Sequence, residues 1–101
     1  MLITKQSVYR HLIKPLCYKN FNIELVGSIS GIFEKSYNDI DLLLYLPEYP
    51  LSEQVFGYFE KCLKDMGWIY NFSDEKEGFG IFHNYQKKGI GLDIFIDEKI
   101  I

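Results

Sequence analysis

Three aspartates stand where carboxylate chemistry is possible. Asp39 and Asp41, separated by Ile40, open the run Asp39-Ile40-Asp41-Leu42-Leu43-Leu44-Tyr45-Leu46. Side chains alternate along a strand, so positions 39 and 41 share a face. Two carboxylates side by side repel unless a positive charge lies between them, and their oxygens suit a hard divalent cation. Asp93 lies in Ile90-Gly91-Leu92-Asp93-Ile94-Phe95-Ile96. There Leu92, Ile94 and Ile96 face one way and Gly91, Asp93 and Phe95 the other. An acid inside an apolar strand is costly unless paired or metal-bound. It is accounted for if its strand lies beside Asp39 and Asp41.

The elements that must position these acids follow from the periodicity. Phe21, Ile23 and Leu25 alternate with Asn22 and Glu24, the period of a strand ending near Val26. Gly27-Ser28 then turns the chain, with glycine permitting positive φ and a close backbone approach. A helix over 29–35 would point free N–H groups near Ser28 at an anion such as phosphate. The unbroken apolar run from Leu42 to Leu46 suits a second strand covered on both faces, and Pro47 and Pro50 end it.

The remaining chain reads as scaffold. Val8, Leu12 and Ile13 predict a helix over 4–14, capped by Thr4, with Pro15 ending or kinking it, or Leu16 and Cys17 prolonging its apolar face by a turn. Ser52 can cap a second helix carrying Val55, Phe56, Phe59, Cys62, Leu63 and Met66, stopped at Gly67. Trp68 to Phe72 predicts a third strand, and Ser73 to Gly78 a solvated polar loop. Phe79 to Gln86 and Ile90 to Ile96 predict a hairpin turned by Lys87-Lys88-Gly89. His11 and His83 read as surface or structural residues, with a contact in an acceptor site as the alternative for His83. The expected fold is α/β (α+β): a mixed sheet of about five strands with two main helices, in a single domain over 1–101.

Composition narrows the function. The net charge is −3 and Arg10 is the one arginine. Such a chain lacks the basic face that grips phosphates, so it should bind duplex DNA no better than any acidic protein, and a DNA polymerase is disfavoured. No run approaches the ~18 apolar residues of a membrane helix, and no signal peptide opens the chain. Cys17 and Cys62 have no ligand spacing and read as buried free thiols of a cytoplasmic protein.

Gly27-Ser28, Asp39-Ile40-Asp41 opening an apolar strand, and Leu92-Asp93-Ile94 in a later strand, taken in order, resemble the polymerase-beta-like nucleotidyltransferase superfamily, in particular its minimal members. The resemblance spans nearly the whole chain. It implies that Asp39, Asp41 and Asp93 hold two Mg²⁺ ions, and that Gly27, Ser28 and Lys35 contact the phosphates of a nucleoside triphosphate. It also implies transfer of a nucleoside monophosphate, AMP first, to a hydroxyl of a protein, a small molecule or an RNA end, with a partner protein as the first expected acceptor. Many relatives carry an arginine soon after Gly-Ser and a serine directly before the first aspartate. Here Ser30 and Gly31 follow, Lys35 is the nearest cation, and Asn38 precedes Asp39. The competing expectation is a non-catalytic or weakly active module of the same fold that binds a partner or a nucleotide, as an antitoxin would.

Overall fold

A computed structural model describes residues 5–26 and 39–98. The described residues begin with a helical arm in three contiguous parts: α1 (Lys5–Val8), a π-helical turn (Tyr9–Ile13) and α2 (Lys14–Tyr18). The arm does not end at Pro15. The Lys14 N–H reaches back to the Tyr9 carbonyl, which widens the ladder just ahead of the proline. Pro15, with no N–H to give, then sits in the first turn of α2, where none is needed. Val8, Leu12, Ile13 and Leu16 are buried on one side of the arm, and Cys17, expected inside, is exposed.

Five strands follow: β1 (Asn22–Val26), β2 (Asp39–Leu46), β3 (Ile69–Lys76), β4 (Gly80–Lys87) and β5 (Ile90–Glu98). They form one sheet in the order β1-β2-β5-β4-β3. β2 and β5 are parallel and the other neighbours antiparallel. The sheet is therefore mixed, as the element count predicts.

Between β2 and β3 runs α3 (Leu51–Asp65). It starts one residue before Ser52, which is buried; Pro50 occupies the cap position instead and gives no side-chain cap hydrogen bond. Its end is a Schellman motif. Trp68 N–H bonds Leu63 O at 2.9 Å, Gly67 N–H bonds Lys64 O at 3.0 Å, and Gly67 has φ +94°. Only glycine adopts that conformation at little cost, so the sequence stop and the structural stop coincide.

Phe59, Cys62 and Leu63 of α3 join the arm residues, Leu25, Ile40, Leu42, Leu44, Leu46, Leu92 and Ile94 in one core. That core lies on a single face of the sheet. Along β2 the even positions 40 to 46 are buried and Asp41, Leu43 and Tyr45 are half-buried. The apolar run is thus covered more fully on one side than on the other, against the expectation of a strand enclosed on both.

Two boundaries differ from expectation. Ser73-Asp74-Glu75-Lys76 is not loop but the second half of β3, paired with Gly80 to His83 of β4. Every residue of β3 is exposed, because it is an edge strand. Its polar composition reflects that position, and backbone pairing, not burial, holds it in the sheet. The β4–β5 turn is two residues, Lys88-Gly89, with φ +50° and +79°, the pattern of a type I′ hairpin turn.

Candidate functional site

The parallel pair β2 and β5 sets the geometry. Asp41 stands opposite Asp93, and Asp39 opposite Gly91. Neighbouring strands lie about 4.8 Å apart, so residues in register share a face at short range. Ile40, Leu42, Leu92 and Ile94, flanking the two acids, are all within 3% exposure and point into the core. Asp41 and Asp93 therefore point to the opposite face, away from the helices, and both are half-buried.

On the far side of β5, Asn84 of β4 is the register partner of Asp93. Its Nδ2 donates to Asp93 Oδ1 at 2.6 Å. Asn71 Nδ2 and Gln86 Nε2 both donate to Asn84 Oδ1 at 3.1 Å. Asn71 sits at a register irregularity in β3, between Tyr70 and Phe72. Bulges of this kind re-aim a side chain, and here the amide reaches the Asn84 carbonyl.

The same row of the sheet thus carries Asp41, Asp93 and Asn84. The next row carries Leu43, Phe95 and Phe82, with the Phe82 and Phe95 rings 5.4 Å apart. Further along β2, Tyr45 donates its hydroxyl to Glu24 Oε2 at 2.6 Å. That bond, with desolvation and the Glu24 and Asp97 charges, pushes the Tyr45 pKa up from its usual value. Cations stand at the end of the sheet where β2 and β5 begin. Lys87 Nζ is engaged by Met66 O at 2.6 Å, and Lys88 is exposed in the turn.

The structure brings two of the expected site residues together, Asp41 and Asp93, and places the backbone of Asp39 two positions upstream on β2. Gly27, Ser28, Lys35 and the expected helix over 29–35 lie outside the described residues, as does the side chain of Asp39. Among the described residues no group of three or more His, Cys, Asp or Glu could hold a metal ion. The pair that is described supplies carboxylate oxygens on a half-buried face, a donor type that fits Mg²⁺. His83 falls outside this site. It faces the core side in register with Ile94, its ring 5.0 Å from Phe56 and its Nδ1 2.6 Å from Ser73 Oγ.

Asn84, Asn71 and Gln86 are the polar residues that sequence reasoning missed. The available signal was the turn: a two-residue Lys88-Gly89 hairpin pairs Lys87 with Ile90, which by counting back sets Asn84 against Asp93. No helix among the described residues is long and apolar enough to cross a membrane. No protein-family model matches this chain, and no curated protein matches it in sequence.

Proposed function

We propose that the carboxylate face is the reaction centre of a Mg²⁺-dependent nucleotidyltransferase. It would transfer a nucleoside monophosphate, AMP first, from a nucleoside triphosphate to a hydroxyl, with a protein as the favoured acceptor. The observation that carries the reading is the in-register placement of Asp41 and Asp93 on adjacent parallel strands, facing away from the core.

Asp39, Asp41 and Asp93 would hold the metal. Bound there, Mg²⁺ supplies charge that lowers the pKa of an attacking hydroxyl and neutralises the departing pyrophosphate. The chain itself contributes position and fixed charge. In the transfer the acceptor oxygen loses its proton to solvent and forms a bond to the α-phosphorus. The bond from that phosphorus to the β-phosphate oxygen breaks, and pyrophosphate leaves. Gly27, Ser28 and Lys35 are the phosphate-binding residues of this reading, and Lys88 is a further cation, at the end of the sheet where β2 and β5 begin.

The test incubates the protein with each of the four nucleoside triphosphates labelled at the α-phosphate, Mg²⁺ and host lysate. The expected result is label on a macromolecule, lost when Asp41 is replaced by asparagine. No label from any of the four overturns transfer. A melting shift with Mg²⁺ and nucleotide but without label would favour the binding module, a reading supported by the lack of arginine after Gly27-Ser28.

A further inference from the structure

Asn84 is 7% exposed, and its side-chain amide lies between an acid and two other amides. Burying an amide costs free energy unless both ends are bonded, and an apolar residue would fill the same strand position without that demand. Both ends are bonded here, and the polarity of the chain runs one way. An ionised carboxylate only accepts, so Asp93 requires the NH₂ end of Asn84. The Asn84 carbonyl is then left facing β3 and its own strand, where it requires donors. Asn71 and Gln86 each bring an NH₂ group to it. The braces thus dictate which way round the Asn84 amide sits. An irregularity in the edge strand is retained at Asn71, the residue that supplies one brace.

We propose that Asn84 is a positioning residue for Asp93. Held in orientation by Asn71 and Gln86, its amide fixes Asp93 Oδ1 and leaves Oδ2 to face a divalent cation. This rests on the nucleotidyltransferase reading above and extends it to residues on β3 and β4. Outer partners of metal-binding carboxylates act in this way generally, and their removal weakens metal binding without touching the metal.

The experiment measures Mn²⁺ binding by electron paramagnetic resonance in the presence of α,β-methylene-ATP, with melting temperatures in EDTA recorded alongside. Wild type, Asn84→Ala and Asn71→Ala are compared. Asn71 is exposed on the edge strand, so its variant keeps the proposal testable if Asn84→Ala does not fold. The expected result is about ten- to a hundredfold weaker Mn²⁺ binding for Asn84→Ala, and a smaller loss in the same direction for Asn71→Ala. The EDTA melting temperature of Asn71→Ala should stay near that of wild type. Wild-type affinity in both variants overturns the proposal and leaves the nucleotidyltransferase reading standing. A lowered melting temperature with unchanged affinity of the folded protein makes Asn84 a structural strut and also overturns it. Failure of the wild type itself to bind Mn²⁺ sinks the nucleotidyltransferase reading and the positioning role with it.

Discussion

The two faces of β2 and β5 are built from alternate residues of the same two strands, yet they follow different rules. On the helix-backed face Leu42, Leu44, Leu92 and Ile94 have no exposed surface and pack against Phe59 and Leu63 of α3. Size and apolarity are all that those positions require. On the other face, one residue along, stand Asp41, Leu43, Asp93 and Phe95. There an acid pair, an amide chain and an aromatic row share a surface on the side of the sheet away from the described helices. Apolar burial is concentrated on the first face and charged and amide side chains on the second, so neighbouring residues of a single strand should respond to substitution in opposite ways.

The largest expected effect tests the core side of that contrast. Leu44→Ala removes a fully buried side chain and should cost about 2–5 kcal/mol, the range for large-to-small changes in a core. Leu43→Ala, half-buried on the other face, should cost less than half as much. Urea unfolding of both variants measures the difference. Equal losses would mean that the carboxylate face is packed as tightly as the core, and the contrast between faces would fail.

The next effect tests the other side. Asp39→Asn combined with Asp41→Asn removes the repulsion between acids while nearly keeping their shape. In EDTA the double variant should be at least as stable as wild type, as expected of residues kept for function at some cost to stability. With Mg²⁺ and nucleoside triphosphate at 100 times the dissociation constant, wild type should gain about 2.7 kcal/mol and the variant almost none. Thermal melts with and without ligand decide it. If the variant unfolds in EDTA, the two aspartates are structural hydrogen-bonding residues, and this face is scaffold like the other.

The sequence revealed the two faces unequally, for a physical reason. The core face is written in periodicity. Helical spacing in the arm and in α3, and the alternation of Leu92 and Ile94 in β5, marked many of its members, whereas the unbroken run Leu42–Leu46 did not tell the two faces of β2 apart; Gly67 marked the end of α3. The acids were also legible, since an aspartate within an apolar strand is a local anomaly. Their companions were not, because Asn84 has meaning only through register. A turn of Lys87-Lys88-Gly89 would pair Gln86 with Ile90 and set His83 against Asp93. The two-residue turn shifts every pair by one, brings Asn84 to the acid and sends His83 to the core side. The reach of Asn71 was hidden for a related reason: an irregularity in an edge strand leaves no trace in hydrophobic alternation. Likewise Ser73 to Lys76 read as loop, since an edge strand needs no apolar side chains.

The smallest expected effect lies where the core face reaches β4 and stops being wholly apolar. His83 is half-buried there against Phe56, and burial lowers its pKa from the usual value of about 6.5, with the Glu60 charge opposing the shift. The sign follows from which state binds the proton. With the folded-state pKa below the unfolded one, the unfolded chain takes up a proton first as the pH falls. Stability should therefore decline as the pH drops below about 6.5, and this contribution should level off once the folded-state pKa is passed. His83→Gln should remove that component, whereas His11→Gln, changing an exposed residue of the first helical arm, should leave it in place. Glu60→Gln should enlarge it, because the charge that favours the protonated ring is gone. The substitution also replaces the charged acceptor of the Tyr85 hydroxyl, which donates to Glu60 Oε2 at 3.0 Å, with a neutral one, so each curve is compared with its own value at pH 7.5. Urea unfolding between pH 7.5 and 5 measures all four proteins. A decline of the same size in His83→Gln would assign it to other groups and would leave burial of the His83 ring without effect on the pH dependence of stability.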